Sequence, residues 1–187
     1  MKQFIILGFI LISFNQISAQ LSSQKSIDVS LGYGVAFPYE EIEVYGSGFS
    51  AQGEYVMDFS KWIGVRPYAG FILAKASEED YDGNPTIYRC SANAFLLGTK
   101  VRFTLPIPWV APYLEAGIGA SIGSFRTFTP LHDIDKKGFA LHYPISLGLQ
   151  IGRHHNFDLG LSYYMMPNEE QVNAVIGIGF TIPLNNN

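Results

Sequence analysis

The chain of 187 residues is 48% hydrophobic, 14% aromatic and only 15% charged, with a formal net charge of −4. That length suits one domain, and the apolar content is enough for a packed fold without the long apolar blocks of a helical membrane protein. No basic run or stripe is present, which removes nucleic acid from the expected partners.

The first segment, MKQFIILGFILISFNQISAQ, carries Lys2, an apolar run over residues 4–12 and a polar zone ending in Ser18 and Ala19. This is the pattern of a secretory signal peptide cleaved after Ala19, so residues 1–19 are expected to be the signal and 20–187 the mature domain. The apolar run falls well short of the roughly 20 residues of a spanning helix. The residue immediately after the cleavage point is Gln20 rather than a cysteine, which argues against a lipid-anchored precursor. The single cysteine, Cys90, has no partner for an internal disulfide and reads as structural.

Downstream, the chain alternates apolar and small or polar residues with period two, the signature of strands with two unlike faces. Residues 27–37 place Ile27, Val29, Leu31, Tyr33, Val35 and Phe37 against Asp28, Ser30, Gly32, Gly34 and Ala36. Residues 49–57 and 65–73 repeat the pattern, with Ser50, Gln52 and Glu54, then Arg66, Tyr68 and Gly70, on the polar side. Pro67 removes a ladder donor and weakens the start of the third strand. Residues 93–105 set Lys100 and Arg102 against Phe95, Leu97, Val101, Phe103 and Leu105.

The clearest segment is VAPYLEAGIGASIGSF, residues 110–125: one face holds Leu114, Ile118 and Ile122, the other Tyr113, Glu115, Gly117, Gly119 and Ser121. Residues 139–151, 157–165 and 172–184 complete eight expected strands. Their links alternate in length. Short ones fall at 58–63, 106–109 and 152–156, longer ones at 38–48, 77–89 and 126–138, with an intermediate link at 166–171. One end of an up-and-down meander is therefore trimmed and the other elaborated, as in outer-membrane barrels with short periplasmic turns and long outer loops.

A soluble lipocalin-type barrel would turn its apolar face inward. Here the polar face is dominated by Gly, Ala and Ser, which suits a crowded lumen better than a solvated exterior. The expected fold is therefore an all-β, eight-stranded antiparallel up-and-down transmembrane β-barrel. Its lumen would collect Asp28, Glu54, Glu115 and Asp158 with Arg66, Lys100 and Arg102, and pairing among them is required because isolated buried ions are costly. Tyr68, Tyr113, Gln52, Gln150 and His142 are expected to fill the remaining gaps, plugging the barrel. Trp62 and Trp109 at the short-turn end, and Phe37, Phe49 and Phe125 beside the long loops, are expected to form the interfacial aromatic girdles.

On these residues the chain resembles the small outer-membrane β-barrel family that includes the OmpA transmembrane domain, OmpX-like proteins and Bacteroidetes-type barrels. RPYAGF and APYLEAGIGAS look like the Pro-Tyr and glycine-rich strands of that group. The chain departs from it in ending FTIPLNNN rather than in an aromatic residue, leaving Phe180 as an approximate assembly signal, and in stopping at Asn187 without a peptidoglycan-binding domain. The resemblance implies residence in the outer membrane of a Gram-negative bacterium, as a monomer among bilayer lipid and lipopolysaccharide, after folding by the barrel-assembly machinery.

Catalytic and metal-binding patterns are weak. His142 and Ser146 share a face and raise a lipid A-modifying enzyme, yet the lipid A deacylases use a His and a Ser two residues apart on a lipid-accessible surface. His154 and His155 lie in a short turn with no further ligands. SEEDYDGNPT at 77–86 resembles the first half of a calcium loop but lacks its distant bidentate glutamate. His132, Asp133, Asp135, Lys136 and Lys137 have no catalytic spacing. No cofactor and no metal are expected. The expected role is non-enzymatic, structural or interactive through the outer loops; the alternatives are a narrow passive pore for small or apolar solutes and, third, the lipid A enzyme.

Overall fold

A computed structural model of the chain describes residues 25–40, 44–80 and 82–184. The expected signal segment, residues 1–19, lies outside the described residues. Eight strands follow one another: β1 Lys25–Pro38, β2 Gly46–Asp58, β3 Ile63–Ala76, β4 Arg89–Thr104, β5 Val110–Phe128, β6 Asp133–Ile151, β7 Phe157–Met166 and β8 Gln171–Pro183. Each pairs antiparallel with the next, and β1 closes on β8, from Ser26 opposite Pro183 to Pro38 opposite Gln171. Closure leaves no free sheet edge.

Period two sends every strand's faces to opposite sides of the wall, and the direction is unambiguous. Glu115, Lys100 and Arg102 are buried, whereas Ile118 is 55% and Ile178 68% exposed. The oily stripes therefore form the outer surface, from Ile27, Val29 and Leu31 on β1 round to Ile176, Ile178 and Phe180 on β8.

Glycines on the inner face make room for rings that cross the lumen. A Cβ at Gly119 would collide with the Tyr68 hydroxyl and the His142 ring, and one at Gly148 with the Tyr113 hydroxyl. The small polar face inferred from the sequence is thus half of a complementary surface whose other half is tyrosine. Backbone pairing has two gaps. The β2–β3 register passes from Glu54–Tyr68 to Met57–Val65, skipping Pro67, and the β5–β6 register passes from Ala116–Ile145 to Gly119–His142, skipping Pro144. Each gap sits where proline has no N–H to donate. Even so, β3 runs unbroken from Ile63 through Pro67.

Three features differ from the sequence expectation. The link at 126–138 is mostly strand: β5 and β6, 19 residues each, continue as a hairpin to Phe128 and Asp133, leaving a link of only residues 129–132. Its polar run gives no hydrophobic alternation to read, yet the ladder carries on through Arg126–Asp135 and Ser124–Lys137. Phe125 does not join a girdle. It has inward parity and is fully buried in the interior apolar cluster. Finally, β7 ends in a single 3-10 turn, Pro167–Glu169, where no helix was expected.

If Gly119 is a space requirement, Gly119→Val should overpack the lumen and cost roughly 1–3 kcal/mol, read as a lower urea midpoint of the reconstituted barrel. Ile118→Val, one residue along but facing outward, should change stability by no more than about 0.5 kcal/mol.

Candidate functional site: the filled lumen

Toward the short-turn end, β1 to β5 and β7 each aim a charged side chain at the axis. Lys100 Nζ lies 2.8 Å from Glu115 Oε2 and also hydrogen-bonds Glu54 Oε1. Arg102 donates from Nε to Glu115 Oε1 at 2.5 Å and from Nη1 to Asp158 Oδ2 at 3.1 Å. Its guanidinium rests 3.7 Å from the centre of the Tyr113 ring, whose hydroxyl donates to Asp158 Oδ1 at 2.5 Å. Such rings favour arginine's planar cation over a strongly hydrated ammonium.

Arg66 is held differently. Its contacts with Asp28, Glu54, Asp58 and Glu115 span 3.7–3.9 Å, and neither Nε nor Nη1 makes a hydrogen bond. It balances charge across the lattice without closing it. Asp28 accepts instead from Thr181 Oγ1 at 3.3 Å. The seven charged residues expected in the lumen are therefore brought together, and all are buried. The eighth predicted polar residue, His142, belongs to the next layer up.

In that layer His142 Nδ1 shares a hydrogen bond with Ser121 Oγ at 2.7 Å, and its Nε2 contacts the Tyr68 hydroxyl. Tyr164 stands edge-on to its ring, with centroids 5.6 Å apart, and donates to Gln52 Oε1 at 2.7 Å; Gln52 in turn donates to Glu54 at 2.8 Å. A continuous polar chain thus links the histidine layer to the ion pairs. Ser146 pairs with Ser162 at 2.8 Å rather than with His142. The His142–Ser146 combination considered from sequence is not assembled, and His142 is fully enclosed. A cavity of only about 50 Å³ remains beside the lattice, lined by Asp28, Glu54, Lys100 and Arg102 among others.

The outer half of the lumen holds an apolar cluster beside the buried Thr127, Gln171 and Asn173, which the sequence analysis missed. Ile72, Leu96, Phe125 and Met166 pack there with Ala74, Cys90, Ala92 and Ala94. The signal was present in the parity of Ile72 and Leu96, which fall on the polar face of their strands. Cys90 is buried in this cluster, with its thiol 3.5 Å from Gln171 Oε1.

Links at the elaborated end tie down over this plug. Glu40 accepts from Thr129 Oγ1 at 3.0 Å and contacts His132 Nδ1, while Lys136 Nζ donates to the buried Glu169 at 2.5 Å. Tyr39 N–H reaches Glu170 O at 3.0 Å. Glu40, Lys136 and Glu169 carry no motif and could not be found by spacing.

The remaining sequence candidates scatter. Trp62 and Trp109 are exposed at the short-turn end, where Phe157 and Phe180 add a T-shaped pair; Phe49 is exposed and Phe37 half-buried beside the longer links. Gln150 does not fill the lumen. It lines an open vestibule of about 880 Å³ at the short-turn mouth, with Arg66, Lys61, His154 and His155. His155 itself bonds Ile107 O at 3.1 Å.

In the loop at 77–86, Asp80 caps its own turn, accepting the Asp82 and Asn84 amides at 3.0 and 2.8 Å, and these bonds hold its carboxyl below the usual range, the Asn84 amide most strongly. Its carboxylate is already engaged by the loop. Among the described residues no three His, Cys, Asp or Glu side chains are grouped to hold a metal.

Lys100 bridges two carboxylates, so Lys100→Met should leave Glu54 without its hydrogen-bonded cation and Glu115 with Arg102 alone, and cost roughly 3–5 kcal/mol. Adding Glu115→Gln should recover part of that loss. A double-mutant cycle on urea unfolding should therefore give a clearly non-additive total, and additive losses would mean the pair does not interact.

The comparisons with known proteins agree with this geometry. No curated protein is similar enough in sequence to match. Among solved structures, Neisserial surface protein A has a TM-score of 0.59 at 13% identity, covering 87% of this chain and 98% of its own. The outer membrane enzyme PagL has 0.51 at 13%, covering 84% and 99%. The N-terminal β-barrel domain of Pseudomonas aeruginosa OprF has 0.50 at 14%, covering 86% and 100%. At such identities the likeness is one of fold. The model of the outer membrane protein beta-barrel domain matches residues 7–181, nearly the whole chain with its apolar exterior and ion-paired lumen, and the chain belongs to that family.

Proposed function

We propose that the protein is a non-enzymatic, monomeric outer-membrane barrel whose role is structural or interactive, with its lumen sealed and its long link at 77–88 and the extended β5–β6 hairpin tip at 129–132 offered to the cell exterior. The observation that carries this is a lumen filled at two levels, by the Lys100–Glu54–Glu115–Arg102 lattice in the inner half and by Ile72, Leu96, Phe125 and Met166 in the outer half. A solute would have to displace both, and the 50 Å³ cavity beside the ionic lattice holds no more than a few water-sized molecules. Residues 1–19 serve as the export signal, and the barrel-assembly machinery inserts the chain.

Enzymatic function finds no support in the arrangement of nucleophiles. Among the described residues the one hydroxyl on a histidine nitrogen besides a tyrosine, Ser121, is as enclosed as His142 itself, out of reach of an acyl chain. The narrow-pore alternative rests on one feature, the 880 Å³ vestibule that leads from the short-turn mouth up to Arg66.

Planar-bilayer recording separates the two. Purified wild-type protein should show no stable conductance, whereas a large, steady monomeric conductance would establish the pore. Topology is tested independently by inserting an epitope at Gly83 or at Lys61: antibody should label intact cells carrying the first and not the second.

A further inference from the structure

The distribution of positive charge on the outer wall is one-sided. Apart from the lumenal three, the described cations divide between the two ends: Lys25, Lys61 and Arg153 at the short turns, and Lys75, Arg89, Arg126, Lys136 and Lys137 at the other. Lys136 turns inward to Glu169. The other four face outward, one on each of the consecutive strands β3, β4, β5 and β6, with Arg89 the least exposed.

Registers place them close together. Arg126 lies opposite Ser91, Arg89 opposite Phe128 and Lys137 opposite Ser124, so the group spans four residue steps along β5. At about 3.3 Å per residue and about 4.8 Å per strand, the patch measures roughly 13 by 14 Å. On β7, β8, β1 and β2 the outward strand residues nearest the same end are Met165, Val172, Val35, Phe37, Ser47 and Phe49, none of them charged.

Two further facts narrow the ligand. None of the four makes an ion pair among the described residues, although Asp135 stands opposite Arg126 and Asp133 opposite Phe128. Below them on the same outward face, directly at Leu73 and Phe139 and after Ser91, Asn93 and Ser124 at Phe95 and Ile122, the apolar belt ends. Cations at the rim of a lipid-facing belt sit at headgroup depth, where long Lys and Arg stems lie along apolar surface and their heads reach the interface.

We propose that the outward face of β3–β6 is a binding site for a multiply phosphorylated glycolipid of the outer leaflet, its acyl chains on the Leu73–Phe139 belt and its phosphates on Lys75, Arg89, Arg126 and Lys137. Charge complementarity and continuity with the belt select this occupant over a soluble anion, which would have no reason to lie at the edge of an oily surface. The proposal rests on the reading of the chain as a barrel spanning the outer membrane with its elaborated end outside.

The test reconstitutes the full mature chain with phosphatidylcholine and either bisphosphorylated lipid A or the same lipid stripped of phosphate, and counts retained lipid by native mass spectrometry. Wild type should retain the phosphorylated form about ten-fold better, and K75Q/R89Q/R126Q/K137Q should show a preference below about two-fold. K25Q/K61Q/R153Q, at the opposite end, should behave as wild type. Heat-modifiable gel migration reports that each variant is folded; should the quadruple variant misfold, K75Q/K137Q and R89Q/R126Q should each lose roughly three-fold.

Equal retention by the outer-end variants, no phosphate preference in wild type, or loss confined to the short-turn variant would each overturn the site. Failure of the wild type to enter bilayers at all would instead overturn the membrane reading beneath it. A conductance from lipid-retaining protein would refute the sealed lumen and leave this site standing.

Discussion

The structure depends on one buried ammonium. Lys100 sits between Glu54 and Glu115 inside a closed wall, where an unpaired charge would be expensive and a paired one is tolerated only with its partners fully engaged. Arg102 completes Glu115 and reaches Asp158, Tyr113 covers the guanidinium, and Gln52 relays to Tyr164. Once that lattice forms, the strands carrying it cannot slip, because a one-residue shift would exchange Lys100 for Thr99 or Val101 and Glu115 for Leu114 or Ala116 and put the charges in lipid. Register, lumen content and outward apolarity are therefore one decision made by the same side chains.

The lumen is built in two chemistries rather than one. The ionic half is specific: each partner fixes an angle and a height. The apolar half packs Ile72, Leu96, Phe125 and Met166 by shape, and the ties from Glu40 to Thr129 and from Lys136 to Glu169 close over it. Under the proposed function, a barrel sealed in both halves would act through its surfaces, the outer links and the belt. The one-sided cluster of cations on β3–β6 gives that belt a front and a back.

Much of this was legible in the sequence, because a period of two leaves the chain few alternatives once one face is oily and the other small. All eight strands, the closed meander and the seven lumenal charges follow from parity and link length. The misses have physical reasons. Phe125 was assigned by its nearness to a loop when its parity already placed it inside, and Ile72 and Leu96 were passed over because the polar face was taken to be polar throughout. The β5–β6 extension, with Asp133, Asp135, Lys136 and Lys137, carries no hydrophobic signal, since beyond the belt neither face needs one. The Glu40–Thr129 and Lys136–Glu169 ties join residues 89 and 33 positions apart and leave no local trace.

Orientation of the two faces is the central claim, and methyl-labelled protein in lipid nanodiscs tests it without any substitution. Ile118, Ile122, Ile176 and Ile178 should each show a nuclear Overhauser contact with lipid acyl-chain protons, while Ile72 and Leu96 show none. Acyl contacts at Ile72 and Leu96 with silence at Ile118 and Ile178 would contradict the barrel as described, for the charges would then face the bilayer.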